Sequence, residues 1–162
     1  MPSSISVHVV DFHDSVQQHA LIDLLDMYAR DPMGGGEALA EGVKQRLCSD
    51  LAGTPSAVSF MAYVDGQPVG LLNAMMGYST FKAKPLMNVH DIAVMPAFRA
   101  QGIGQALLAA AAAHALHKGC CKLTLEVLSG NHTAMRSYER FGFQQYALLP
   151  ENGQALFMQK WL

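Results

Sequence analysis

Hydrophobic and polar positions change period several times along this 162-residue chain, and each change marks an element. Ile5, Val7 and Val9 alternate with polar neighbours, which predicts a short strand over residues 4–10. Leu21, Leu24, Leu25 and Tyr28 then take the i, i+3, i+4, i+7 spacing of one helical face, predicting a helix over 15–30. Asp31-Pro32 and Gly34-Gly35-Gly36 stop it, because proline disfavours helix at the residue before it and glycine frees the backbone. A second helix is expected over 37–51. Two apolar runs, 57–64 and 68–78, flank Asp65-Gly66, a strong hairpin signal. A connector over 79–85 leads to a third long strand over 86–95, which Pro96 ends. The alanine-rich stretch 101–118, closed by Gly119, reads as a helix. A strand over 122–128, a short helix over 133–141 stopped by Gly142, and a closing pair of strands over 143–149 and 154–161 complete the chain.

The order βααβββαβαββ, with no repeat, low-complexity tail or long linker, implies one α/β (α+β) domain over 1–162 with a mixed sheet. Composition narrows the classes. Apolar residues make up 51% and charged residues 15%, which excludes disorder. No apolar run approaches the ~20 residues that span a bilayer, so no membrane partner is expected. The start, Met1-Pro2-Ser3-Ser4, lacks the pattern of an export signal. A net charge of −2 gives no footprint for long nucleic acid, yet leaves room for a local basic spot. Cys48, Cys120 and Cys121 make a poor disulfide framework, so a reduced, cytoplasmic protein is expected. His114 and His117 share one helical face without a third ligand, so no metal is expected.

The chemistry concentrates in 88–108, where a strand runs through Val94-Met95-Pro96-Ala97-Phe98-Arg99-Ala100-Gln101-Gly102-Ile103-Gly104 into a long helix. The first N–H groups of a helix lack intrahelical partners, and the helix dipole favours anions there. Gly102 and Gly104 carry no side chain to block a pyrophosphate, and Arg99 adds a charge-assisted bond. A dinucleotide fingerprint is weakened by Leu107, and no Gly-Lys-Ser/Thr follows, which excludes a nucleoside-triphosphate P-loop. A tight turn would also explain the glycines.

A second motif follows in 131–143, Asn131-x-x-Ala134-x-x-x-Tyr138-x-x-x-Gly142-Phe143. Together with Val94-x-Pro96-x-x-Arg99-x-x-Gly102-x-Gly104-x-x-Leu107-Leu108, it resembles the GCN5-related N-acetyltransferase (GNAT) superfamily, closely over 88–143. The resemblance implies a mostly antiparallel central sheet of about seven strands with four helices. It also implies acetyl-coenzyme A as co-substrate and an amine acceptor. Arg99, Ala100, Gln101, Gly102, Ile103 and Gly104 match the pyrophosphate loop. Ile92, Ala93 and Val94 match the strand whose main chain meets the pantetheine arm, next to a bulge. The parity of the side chains is compatible with one inserted residue, because Asn88 and His90 are polar while Ile92 and Val94 are apolar. Asn131 matches a residue on the cofactor arm, and Tyr138 the tyrosine beside the sulfur.

Attack requires a neutral amine, and an alkylammonium has a pKa of about 10.4, so a base is sought. Asp91 in mid-strand, Glu126 on the next strand, and His90 if a bulge redirects it are the candidates. Tyr138 suits protonation of the leaving thiolate. Cys120 and Cys121 raise a covalent acyl-enzyme, but direct transfer is the preferred reading. Met33 and Gly34 before the second helix, and Tyr78, Ser79, Thr80 and Phe81 in the connector, are candidates for the acceptor site. The lack of a long acidic or basic face favours a small-molecule acceptor over a protein. A non-catalytic acyl-CoA sensor and transfer of a longer acyl group are the alternatives. Family analogy adds a homodimer, for which Phe157, Met158 and Trp161 offer apolar surface.

Overall fold

The computed structural model describes residues 3–162, in two compact units, one ending at Leu125 and one beginning at Glu126. The first unit is built on a five-stranded sheet in the order β1-β2-β3-β4-β5. Its strands are β1 (Ile5–Val9), β2 (Ala57–Val64), β3 (Gln67–Ser79), β4 (Lys84–Val94) and β5 (Leu123–Leu125). Neighbours run antiparallel from β1 to β4, while β5 lies parallel to β4.

Two helices cover one face of the sheet. These are α1 (Ser15–Arg30), whose Asp14 carboxylate accepts from the N–H groups of Val16 and Gln17, and α2 (Glu41–Ala52). Leu21, Leu24 and Cys48 pack with Met61 and Leu71 in one buried cluster. The other face packs against α3 (Ile103–His117), where Gly70 permits close approach. A Cβ there would lie 3.0 Å from Ile103 Cγ2 and 3.2 Å from Leu107 Cδ1.

Most predicted elements are found, and the turn at Asp65-Gly66 has the expected left-handed pair, φ 49° and 81°. Helix α2 begins at Glu41 rather than at residue 37. The intervening chain is pinned to α1 instead: Glu37 N–H donates to the Ala29 carbonyl, and Leu39 N–H to Asp26 Oδ1 at 2.8 Å. That backbone bond, with Arg30 beside it, holds the Asp26 carboxyl below the ordinary carboxylate range. The connector at 79–85 shrinks to a tight turn, because β3 extends to Ser79 and pairs with Lys84.

The second unit holds α4 (His132–Phe141), closed by Gly142 at φ 115°, and a 3-10 turn at Pro150–Asn152. Two expectations are corrected here. The fifth strand stops at Leu125, and residues 143–149 and 154–161 form no strands. Apolar and aromatic side chains give these segments strand-like character, but a strand exists only through main-chain bonds to a partner, and no ladder includes them. Among the described residues the sheet therefore has five strands rather than about seven, with four α-helices in the order βααβββαβα. Among the described residues no helix is long and apolar enough to cross a membrane, and no group of His, Cys, Asp and Glu could hold a metal.

Candidate active site

The loop between β4 and α3 has the features that an anion requires. Gly102 is the N-cap of α3 at φ 84°, no side chain caps the helix, and its first turn has no acidic residue. The other two helices flanked by polar caps differ, since Asp14 and Asn131 spend their side chains on the first amides of α1 and α4. Ala100 also adopts a left-handed backbone, φ 59°. An L-residue pays about 1–2 kcal/mol for that, so the loop's shape is imposed by its surroundings. Arg99 stands beside it with Nε donating to the Val94 carbonyl at 3.2 Å. Its Nη2 lies 3.7 Å from Asp31 Oδ2, at the C-terminal end of α1.

Strand β4 carries the inserted residue that the side-chain parity suggested. Asn73 pairs with Asp91 and Ala74 with Val89, leaving His90 as the extra residue. A bulge of one residue reverses every side chain beyond it. Val89 opposes Ala74, whereas Asp91 opposes Asn73 on the sheet's other face, the one that α1 covers. Without the insertion Asp91 would share the apolar face packed on α3. His90 itself is exposed.

Beside the bulge the sheet opens. The ladder between β4 and β5 ends with Val89 and Leu125, so among the described residues His90, Asp91, Ile92, Ala93 and Val94 have no strand partner on that side. Asp91 is half-buried, and Asn73 Nδ2 donates to its Oδ2 at 3.1 Å. Tyr28 of α1 belongs to the same neighbourhood: burial, then the carboxylates of Asp91 and Asp31, push its phenol pKa up.

In the second unit Asn131 Oδ1 accepts from Ala134 N–H at 3.2 Å, so its oxygen caps α4 while its NH2 is not used by that bond. Tyr138 is half-buried on α4, with its ring 6.0 Å from that of Phe143. Glu126 lies one residue past the end of β5, exposed, and not on a strand as expected.

Residues 21–143 match the acetyltransferase (GNAT) family, a span that includes the loop, the bulge and both sequence motifs. The chain belongs to the GNAT family. It is 43% identical over 67 residues to a thialysine N-epsilon-acetyltransferase of Bos taurus, covering 41% of this chain and 39% of the relative. It is 37% identical over 79 residues to the streptothricin acetyltransferase of Streptomyces lavendulae, covering 49% of this chain and 40% of the relative. These alignments thus span well under half of the relatives' own lengths. An aminoglycoside N-acetyltransferase, AAC(6')-Iy, solved in complex with CoA, superposes with a TM-score of 0.76 at 17% identity, covering 99% of this chain and 97% of that one. That likeness is one of fold.

Within this GNAT fold the acceptor candidates separate. Gly34 closes the turn after α1, where a Cβ would collide with the Tyr28 carbonyl, so Met33 and Gly34 sit at the end of α1 that carries Tyr28 and Asp31. Tyr78 and Ser79 finish β3, and Thr80 and Phe81 form the hairpin tip, Phe81 being 97% exposed. Tyr78 is five positions from Asn73 along β3, roughly 17 Å at the rise of a strand. The long, pocket-lining connector is thus a short hairpin tip remote from Asp91. Cys120 and Cys121 follow the far end of α3, roughly 22 Å from Gly102 along the helix. Burial, and then Cys121, raise the Cys120 thiol, which disfavours a nucleophilic thiolate. Tyr28, Asp31, Ser59 and Asn73 escaped sequence reasoning. Asn73, within Leu71-Leu72-Asn73-Ala74-Met75, and Ser59, within Val58-Ser59-Phe60-Met61, are polar residues inside apolar runs, a signal that could have marked them.

Proposed function

We propose that this chain is an acetyl-CoA-dependent N-acetyltransferase, one acyltransferase domain over 1–162, that passes acetyl directly to a primary amine of a small molecule. The observation that carries this is the uncapped N-terminus of α3 behind two left-handed residues, with Arg99 beside it, inside the region that matches the family. The amides of 101–104 and the Arg99 guanidinium fit a diphosphate, and Gly102 and Gly104 leave open space where a Cβ would stand. Main-chain groups of Ile92, Ala93 and Val94 on the open side of β4 would pair with the pantetheine arm, joined by the Asn131 amide.

In this reading Asp91 takes the proton that the ammonium must lose. Nitrogen attack then makes a tetrahedral oxyanion, and an N–H near Ala93 or Val94 stabilises it. As the C–S bond breaks, the Tyr138 hydroxyl gives its proton to the thiolate, and the tyrosinate takes the second proton from the nitrogen, so that a neutral amide and the CoA thiol leave while Asp91 returns its proton to water. The bulge supports Asp91 over Glu126 and His90, because it turns a half-buried carboxylate to the face covered by α1. Relatives named for thialysine and streptothricin support a small amine acceptor. Met33, Gly34 and Tyr28 suit it better than Tyr78–Phe81, which a small acceptor at Asp91 would not reach. Three unbridged cysteines support a reducing, cytoplasmic setting. Phe157, Met158 and Trp161, 74%, 84% and 86% exposed, are apolar surface that a second copy would cover, and sedimentation over a range of concentrations checks this.

The decisive measurement is release of free thiol from acetyl-CoA against a panel of small amines. Acceptor-dependent release is expected. Binding of CoA with no release for any amine would favour a sensor, and faster release from longer acyl-CoA thioesters would favour a different acyl group.

A further inference from the structure

We propose that Asn73 is a positioning residue for acetyl transfer: backed by Ser59, it fixes the Asp91 carboxylate where it can take the acceptor's proton. This rests on the reading of Asp91 as the base. Ser59, Asn73 and Asp91 stand in one row across β2, β3 and β4, each directly opposite the next. Ser59 Oγ lies 2.6 Å from Asn73 Oδ1, and Asn73 Nδ2 lies 3.1 Å from Asp91 Oδ2.

Chemistry leaves one sense to this chain. An ionised carboxylate can only accept, so the Asn73 NH2 must face Asp91 and its carbonyl must face Ser59, whose hydroxyl then donates. Each donor thus points at the carboxylate. The amide occupies part of Oδ2, while a carboxylate offers about four acceptor positions, so capacity remains for an ammonium.

Stability alone does not call for this row. Ser59 is 1% and Asn73 9% exposed, and they are the buried polar side chains among the described residues. Burying such groups is unfavourable unless each is paired, and an apolar pair would fill the same space. The β4 bulge breaks the pattern of the sheet at the same place, and it is what brings Asp91 opposite Asn73. Two local departures therefore converge on one carboxylate, as expected at a functional site.

The titratable and charged groups on this side include Tyr28 of α1, which feels the charges of Asp91 and of Asp31, Arg99 against Asp31, Cys48 of α2 and Tyr63 of β2. His90, the neighbour on β4, is exposed.

The test compares kcat and KM for the full chain with Asp91→Asn, Asn73→Leu and Ser59→Ala, together with CoA affinity and Tm. Loss of the N–H donor that holds the carboxylate in place should lower kcat roughly 3- to 10-fold, with acceptor KM and CoA affinity little changed. Ser59→Ala should lower kcat the same way by less, and it decides the matter if Asn73→Leu does not fold. A lowered Tm with an unchanged kcat in Ser59→Ala and in any folded Asn73→Leu, while Asp91→Asn is inactive, would overturn the positioning role and leave the base reading intact. Full turnover of Asp91→Asn at every pH would remove the base itself.

Discussion

Tyr138 is the residue whose role is most sharply tested by one oxygen atom. Its ring packs edge-on to Phe143, so Tyr138→Phe should keep the packing and lose only the hydroxyl. If the hydroxyl protonates the thiolate, kcat should fall about 100-fold or more with CoA affinity unchanged; single-turnover kinetics would register it, and an undiminished kcat would retire the role. His114 offers a test at the same scale that concerns stability. Burial, then Lys118 and His117, lower its pKa from the ordinary 6.5. Its ring meets Phe60 edge-on, 5.5 Å between centroids. The folded state therefore resists protonation more than the unfolded chain does. The stability this gives is full above the unfolded value, declines as pH falls through that value, and is gone below the lowered folded value. Thermal melts from about pH 7.5 to 5.5 should show a larger loss of Tm in the wild type than in His114→Gln.

At the scale of elements, the end of α1 meets the loop before α3, the place where the proposed acceptor and cofactor sites of the first unit adjoin. Asp31 ends α1, caps the following turn by accepting from Met33 N–H, and faces Arg99 at 3.7 Å. Both side chains are substantially exposed, so the pair adds little to stability. If Arg99 serves a diphosphate as proposed, the pair's effect falls on that ligand, since a carboxylate beside the guanidinium competes for it. Asp31→Asn keeps the turn-capping oxygen and should tighten CoA binding by roughly 2- to 5-fold, measurable by calorimetry, with the gain fading in high salt. Unchanged or weaker binding at low salt would mean that Arg99 does not serve the diphosphate. Elements were legible to the degree that their causes are local. The ends of α1 follow from Asp14 and from Pro32, and the β2–β3 turn from Asp65-Gly66. The start of α2 is set by Asp26 reaching across to Leu39, thirteen residues away, and no window on the sequence contains that bond. Residues 143–149 and 154–161 are rich in apolar and aromatic side chains on either side of a turn, yet pairing needs a partner that composition does not name. The site divides in the same way. The Arg99–Gly104 loop is one continuous motif, whereas the row Ser59, Asn73, Asp91 exists only once the register of three strands is known.

For the whole molecule, the loop before α3 makes ligand binding visible as stability. The first-turn amides of α3 have no capping side chain and Ala100 is held in a strained backbone, a cost to the free protein that a bound anion at the proposed site would offset. A ligand that binds only the folded state adds about 2.7 kcal/mol when its concentration is 100 times Kd. For a chain of this length each kcal/mol moves Tm by about 2–4 °C, so CoA near that excess should raise Tm by roughly 5–10 °C. Arg99→Ala should remove much of that rise while leaving the ligand-free Tm nearly unchanged, because Arg99 is more than half exposed. Gly102→Ala should act in reverse proportion. Its Cβ would meet no atom within 4 Å, so the penalty comes from φ 84° alone, about 1 kcal/mol on the free protein, and the loop keeps its charge. A Tm that ignores CoA, in calorimetry-verified folded protein, would detach the loop from its proposed ligand while leaving the GNAT fold untouched. A rise that survives Arg99→Ala would instead assign the binding to the amides of 101–104 and free Arg99 for its contact with Asp31.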